Sequence, residues 1–152
     1  MMKIISNNKK VYHNYFVIET YEAGIQLTGT EIKSLRHNTC SLSESLCKIS
    51  NMEVYVYGMN ISPYEKGNIF NVDPIRERKL LLHKSEIKKL YGKIKEKGFT
   101  IIPTKIYFKN SLVKIEIALC KGKKIYDKRE DLKKKNIKRN LERNFKGSNI
   151  KI

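Results

Sequence analysis

Apolar residues recur with two different periods along this chain, and each change of period marks an element. In "YFVIETYEAGIQLTG" (15–29) β-branched and aromatic residues dominate, which predicts two short extended pieces around a bend at Ala23-Gly24. "GTEIKSLR" (29–36) switches to helical spacing, with Thr30 placed to cap, Glu31 at the positive end, and Ile32, Leu35 and Arg36 recurring along the helix. "SLCKIS" and "MEVYVYGMNI" are extended again and join at Asn51. Val54 and Val56 alternate there with Tyr55 and Tyr57; the tyrosines read first as core and second as a stacking surface for RNA. "SPYEKGNIFNVDPIRERK" carries Pro63, Gly67 and Pro74 and little period, a long loop of the functional or disordered kind.

"LLLHKSEIKKLYGKIKEKG" predicts the clearest helix, capped by Ser85, with Ile87, Leu90, Tyr91 and Ile94 on one stripe and Gly98 ending it in a left-handed turn. Its opposite face is lysine-rich, a solvated face that adds to a general attraction for RNA. "TIIPTKIYFKNSLVKIEIALCKG" predicts a hairpin turning at Asn110-Ser111. Val113, Ile115, Ile117 and Leu119 form one face, Leu112, Lys114, Glu116 and Ala118 the other, and Pro103 marks an edge or a bulge. About six strands and two helices, with strands adjacent in sequence, favour a mainly β fold with helices. The architecture expected is an antiparallel Greek-key β-barrel of the OB type, ahead of a sandwich or a parallel α/β sheet.

Beyond Lys121 the apolar content falls away. Ile137, Leu141 and Phe145 sit at four-residue steps beside a second row, Arg139 and Arg143, so a helix with one apolar and one cationic stripe is possible there. Alone it buries too little to offset an ordering cost of about 1–2 kcal/mol per residue. The reading is a barrel body over 1–120 and a basic tail over 121–152, disordered when free and helical when bound.

Charge sharpens this picture. The net charge is +17; residues 1–120 hold 19 Lys and Arg against 11 Asp and Glu, and residues 121–152 hold 13 against 4. A polyanionic partner is the physical meaning of such an excess, and nucleic acid outranks a membrane surface because no lipid-facing amphipathic helix accompanies it. No run of about 18 apolar residues offers a membrane span, and "MMKIISNNKK" lacks a stretch of signal-peptide length, so a cytoplasmic location is expected. Cys40, Cys47 and Cys120 form no CxxC pair and read as buried free thiols rather than metal ligands or disulfides.

Phosphate-loop, nucleophile-elbow and zinc-protease motifs are all missing from the sequence, and His13, His37 and His83 lie far apart. No cofactor, metal, small-molecule substrate or enzymatic activity is expected. Binding chemistry is better represented. "KKVYHNYF" interleaves Lys9 and Lys10 with Tyr12, His13 and Tyr15, a mixture of cation and ring that suits structured RNA and equally a strand's core. "DPIRERK" sets Arg76, Arg78 and Lys79 after a proline-fixed turn; if extended, the two arginines point to one side and can grip phosphates, or else they decorate a solvated loop. On the residues alone a ribosomal or ribosome-assembly protein with a tail inserted in rRNA also fits, and so, on charge and histidines only, does an RNA-modifying enzyme.

"HNYF", "YEAGIQLTGTEIKSLR", "NISPYEKGN", "DPIRERKLLLHKSEIKKLYG", "IYFKN" and "KGKKIYDKRE", in that order and closely spaced, resemble the SsrA-binding protein (SmpB) family over nearly the whole chain. The chain departs from the family pattern at Asn14, at Asn38-Thr39 and at Met52. The resemblance implies an OB-type body that binds the tRNA-like domain of transfer-messenger RNA (tmRNA) in place of a missing anticodon arm. It also implies a tail that probes the decoding centre and empty mRNA channel of a stalled 70S ribosome, against small-subunit rRNA. Alanyl-tmRNA arrives in that pathway with elongation factor Tu, and the stalled peptide is tagged.

By the same resemblance Asn8, His13, Tyr15, Glu22, Arg36 and Leu81 lie on or near the RNA-facing surface, and Lys114, Lys121, Lys124 and Arg129 add basic contacts. Leu81 is expected to shape that face by packing, and Glu22 to accept from a base edge or a 2′-hydroxyl, since it cannot pair a phosphate. In the tail, Gly122 is a hinge, Lys123 and Lys124 anchor, Tyr126 stacks on a base, and Asp127, Lys128 and Arg129 set the turn into the helix. Lys135, Lys138, Arg139 and Arg143 supply charge at helical spacing.

Overall fold

The chain was analysed as a computed structural model that describes residues 2–37, 40–64 and 71–123. Its elements run β1 (Met2–Asn7), α1 (Lys10–Asn14), β2 (Tyr15–Ile25), α2 (Gly29–His37), β3 (Cys40–Ser41), β4 (Leu46–Ser50), β5 (Glu53–Tyr57), β6 (Asn60–Ile61), β7 (Arg78–Leu81), α3 (Lys84–Lys97), β8 (Thr100–Lys109) and β9 (Leu112–Gly122). The larger sheet has the order β1-β8-β4-β5-β7-β2-β9 and also joins β8 to β9. Six antiparallel strands therefore close on themselves, with β1 added along β8. β3 and β6 pair separately. Two neighbours are hairpins, β4–β5 and β8–β9, while β2–β9 and β5–β7 are distant in sequence, as a Greek-key barrel of OB type requires. The first compact unit of the chain is Met1–Gly122, two residues longer than the body placed by the charge pattern.

Both hairpins turn through a pair of residues with positive φ, Asn51 and Met52 (51° and 59°) and Asn110 and Ser111 (51° and 68°). That is the backbone of a type I′ turn, whose twist matches the strands it joins. Gly98 ends α3 at φ 65°, donating its N–H to the Ile94 carbonyl at 3.0 Å, as the sequence predicts.

Inside the barrel Val54, Val56, Leu80, Ile101, Ile106, Ile115, Ile117 and Leu119 are sealed from solvent, with Leu35 of α2 and Ile87 and Leu90 of α3 packed against them. A smaller cluster lies on the outside of β8 and β9, where Val11 of α1 covers Ile102, Ala118 and Cys120, with Tyr15 and Val17 beside it. Ala118, on the face of β9 opposite Ile115, Ile117 and Leu119, is buried because α1 lies over it.

Several local expectations are corrected. Residues 15–25 form one continuous strand rather than two pieces, because Gly24 stays in the ladder, paired with Lys114 and Leu81. Residues 10–14 form a helix rather than the start of a strand, and residues 2–7 add a strand that the pattern did not show. The cap of α2 is Thr28, not Thr30: the Glu31 N–H donates to Thr28 Oγ1 at 3.3 Å and the Thr28 N–H to Glu31 Oε1 at 2.9 Å, a reciprocal box. The cap position of α3 is His83, not Ser85, and its N–H donates to Glu86 Oε1 at 3.3 Å. The valines of β5 take the core, and Tyr55 and Tyr57 lie half-buried on the outer face. Pro103 marks a bulge rather than an edge, for β8 pairs with β9 on one side and with β4 and β1 on the other.

Candidate nucleic-acid interface

Two bulges, both opposite β9, decide which side chains share a face. The β2–β9 register slips at Ile18, between Val17↔Cys120 and Glu19↔Leu119. Opposed residues in a sheet share a face, and side chains along a strand alternate. Cys120, Ala118, Glu116 and Lys114 lie on the outer face of β9, so the slip puts Tyr15 and Val17 on the same outer face as Thr20, Glu22 and Gly24. Without it Tyr15 and Glu22 would point to opposite sides. β8 slips in the same way at Thr104, which keeps Ile102, Lys105 and Tyr107 on that face too.

The result is a platform across four strands. One row opposes Lys105, Glu116 and Glu22; the next opposes Tyr107, Lys114, Gly24 and Leu81. Glu22, Gly24, Leu81, Leu82, His83, Glu86 and Lys114 line a shallow open groove in it. Glu22, Leu81 and Lys114, expected from the resemblance to face RNA, thus come together; His83 and Gly24 were not singled out for RNA. Glu22 Oε2 accepts from the Tyr107 hydroxyl at 2.5 Å and pairs with Lys109 Nζ at 3.3 Å. Those bonds, the tyrosine's above all, outweigh the small desolvation cost and hold the carboxyl below its ordinary range, so Glu22 is an anion at neutral pH.

At the other end of β2, about nine residues and roughly 30 Å away along the strand, Tyr15 opposes Gly122 and Phe16 opposes Lys121. Lys121 and Gly122 are exposed there, as is His13 in the last turn of α1. Lys123 is half-buried. Arg36 is exposed in the last turn of α2. Beside it the His37 ring stacks on Tyr64 with centroids 6.4 Å apart, and Lys33 Nζ sits 5.9 Å from the same tyrosine ring. Asn71 holds Tyr64 at both backbone groups, Oδ1 accepting its N–H at 3.0 Å and Nδ2 donating to its carbonyl at 2.7 Å.

Arg78 corrects the reading of "DPIRERK". It is 1% exposed, and its donors are committed: Nε to Glu31 Oε2 at 2.5 Å, Nη1 to the Met59 and Arg76 carbonyls at 2.8 and 3.1 Å, and Nη2 to the Pro74 carbonyl at 3.0 Å and to Glu31. No donor remains for a phosphate. Arg76 Nη2 reaches Glu31 Oε1 at 2.5 Å, and its side chain keeps 30% exposure. Desolvation raises the pKa of buried Glu31, but Arg76, the Thr28 N–H and Arg78 together hold it below its ordinary value. The pair of arginines is a structural clamp joining α2 to β7.

Asn8 is also inside, 5% exposed, donating from Nδ2 to the Leu42 carbonyl at 3.0 Å and the Pro103 carbonyl at 3.2 Å. It anchors the joint between β1 and α1, and so positions Lys9, Tyr12 and His13. The three cysteines are buried free thiols, and burial pushes Cys40 and Cys120 up to about 11 and Cys47 higher still. Among the described residues no His, Cys, Asp and Glu group suits a metal ion, and no helix is long and apolar enough to cross a membrane. Lys124, Tyr126, Asp127, Lys128, Arg129, Lys135, Lys138, Arg139 and Arg143 lie outside the described residues, as does the loop segment 65–70.

A closed antiparallel barrel of OB type, bearing a polar groove edged by lysine and an exposed leucine, defines the class as an OB-type binding module, a fold that takes oligonucleotides or oligosaccharides on its surface. The comparisons narrow the class. The SmpB protein family model matches residues 5–147. The chain is 58% identical over 149 residues to the SsrA-binding protein of Lachnoclostridium phytofermentans, across 98% of this chain and 97% of that one. It is 56% identical over 151 residues to the SsrA-binding protein of Caldanaerobacter subterraneus subsp. tengcongensis, across 99% and 96%. A solved chain described under "tmRNA-SmpB: a journey to the center of the bacterial ribosome" superposes with a TM-score of 0.66 at 46% identity, over 79% of this chain and 85% of that one. The chain belongs to the SmpB family of SsrA-binding proteins.

Proposed function

We propose that this protein binds tmRNA in trans-translation, its body seated on the tRNA-like domain and its basic tail reading the empty mRNA channel of a stalled ribosome. The observation that carries the first half is the outer platform: Glu22, Leu81 and Lys114 in one groove, and Tyr15 further along the same face of β2. A carboxylate that accepts, an apolar wall and uncrowded lysines suit folded RNA, where 2′-hydroxyls and unstacked bases are read together with phosphates. The tail carries 13 Lys and Arg against 4 acids, and a flexible cationic segment orders only where rRNA walls are free of mRNA. In this reading the body replaces the missing anticodon arm, elongation factor Tu delivers alanyl-tmRNA, the small-subunit decoding centre receives the tail, and the protein works in the cytoplasm as a binding protein without catalysis of its own.

The test is to pull the tagged protein from cells and sequence the RNA that accompanies it. One dominant tmRNA is the expected result. A bulk rRNA profile would replace this reading with that of a constitutive ribosomal protein.

A further inference from the structure

The solvent side of α3 carries charge that helix stability alone would not select. At about 100° per residue, Lys84, Lys88, Tyr91 and Lys95 fall within about 60° of arc, and the eleven steps from Lys84 to Lys95 rise about 16 Å. All four are exposed, Tyr91 at 38%. Lys95, in the last turn, suits the helix dipole, and its ammonium lies 5.2 Å from the centroid of the Tyr91 ring. Lys84 does not suit it: it opens the helix at the positive pole and stands one turn from Lys88, a like-charge pair that weakens a helix. The first-turn carboxylate, Glu86, is committed to the cap, where it accepts from the His83 N–H at 3.3 Å.

The other flank of the same helix is neutralised. Lys93 pairs with Glu19 of β2, and Lys89 acts on the same carboxylate, so both lysines belong to the side of α3 turned toward β2. Glu86 is on that side too, and lines the groove that holds Glu22 and Leu81. Lys84, Lys88 and Lys95 stand roughly 140° round the helix from Lys89 and Lys93. None of the three has a carboxylate within ion-pair distance among the described residues. The lysine stripe and the outer barrel groove therefore face different ways.

We propose that Lys84, Lys88, Tyr91 and Lys95 form a second RNA-binding face, which lies along the phosphate backbone of a ribosomal RNA duplex while the outer barrel groove holds tmRNA. Three cations in a straight row meet the repeating charge of a rigid polyanion, and duplex RNA is bound through its backbone and shape rather than its bases. The Tyr91 hydroxyl adds a donor for a phosphate or a 2′-hydroxyl, and its ring fixes Lys95. A lipid surface fits the stripe poorly: the apolar residues of α3, Ile87, Leu90 and Ile94, pack into the core and leave nothing to insert beside the cations. The inference rests on the reading of the protein as a tmRNA binder that works on ribosomes, and adds to it a contact between body and ribosome that does not pass through the tail.

The experiment compares the full-length protein with a variant carrying Lys84→Gln, Lys88→Gln and Lys95→Gln, glutamine keeping the helix propensity of lysine. A control carrying Lys3→Gln, Lys48→Gln and Lys97→Gln sheds the same charge from exposed positions off the stripe. Two affinities are measured across a range of salt: for a tRNA-like-domain transcript and, with tmRNA bound, for 70S ribosomes stalled at the end of an mRNA. The stripe variant is expected to bind the transcript within about threefold of wild type, and the ribosomes at least tenfold more weakly, with a slope of log K against log salt shallower by about 2 or more. The control is expected to stay within about threefold of wild type on both. If the triple variant does not fold, Lys88→Gln alone decides, with a loss of at least threefold on ribosomes only. Ribosome binding as tight as that of wild type, or a loss that the control matches, would overturn the second face and leave the tmRNA reading standing. A tenfold loss on the transcript would overturn it as well, by putting the stripe on the tmRNA side. Failure of wild type to bind the transcript would overturn both.

Discussion

Glu31→Gln removes one charge and almost no volume from the clamp that ties α2 to β7. Arg78 then keeps its bonds to the Met59, Arg76 and Pro74 carbonyls but loses its one counter-ion among the described residues, while its side chain is 0% exposed and Arg76 stands beside it. Stripping one partner from a buried pair costs about 3–5 kcal/mol, because the remaining charge is left uncompensated. For a body of this size, with an unfolding entropy of about 2.1 cal/mol/K per residue, that lowers Tm by about 12–20 °C. Part of the stability is also pH-linked. Glu31 has its folded pKa below the ordinary 4.5, so its contribution is complete above that value and is lost as pH falls through the folded pKa. The gap between wild type and Glu31→Gln should therefore be full at pH 7 and close as pH falls through the lowered folded pKa of Glu31, whereas other carboxylates act on both proteins alike. Melts followed by circular dichroism from pH 7 to pH 3 read both effects. Glu31→Leu combined with Arg78→Met should recover much of the loss, since no charge is then stranded. A loss under about 1 kcal/mol at pH 7, or a gap that does not narrow in acid, would refute the clamp.

Met52 has φ 59° and is 42% exposed, so Met52→Gly relieves a left-handed residue without emptying the core and should raise stability by about 0.5–1 kcal/mol in a thermal melt. Arg36→Glu, at an exposed helix end, should weaken binding of the tRNA-like domain and reduce the slope of log K against log salt by about 1 or more; an unchanged slope puts Arg36 off the interface. Truncation after Lys124 should leave that binding within about threefold while abolishing peptide tagging on stalled ribosomes; parallel loss of both would refute the division of labour between body and tail.

The β9 hairpin, α3 and the β4–β5 turn were legible because each has a strong local signature: alternation, a helical stripe ended by glycine, and an asparagine at the bend. α1 was not, since five residues from Lys10 to Asn14, one of them β-branched, give too little period to separate from a strand. The roles of Arg76 and Arg78 were misread for a different reason. Two-residue spacing does place both on one side, but that side turns inward onto Glu31, and which way a strand faces depends on partners 45 to 47 residues away.

Register carries the same lesson to the site. Strict alternation along "YFVIETYEAG" separates Tyr15 from Glu22, and no residue type in that stretch announces that one position, Ile18, is skipped in pairing. Pro103 hints at the second slip because it has no N–H for the ladder, and the bulged residue is its neighbour Thr104, whose hydroxyl donates to Glu116 Oε2 at 2.5 Å. β9 lies between the two bulged strands and is regular on both sides, so each slip is made against the same ruler. Each slip is confined to its own strand, and the outer faces of β2, β8 and β9 stay in step. Tyr15 and Leu81 share one outer face only because of the slip at Ile18, so the membership of that face is set by backbone pairing rather than by the side chains along it.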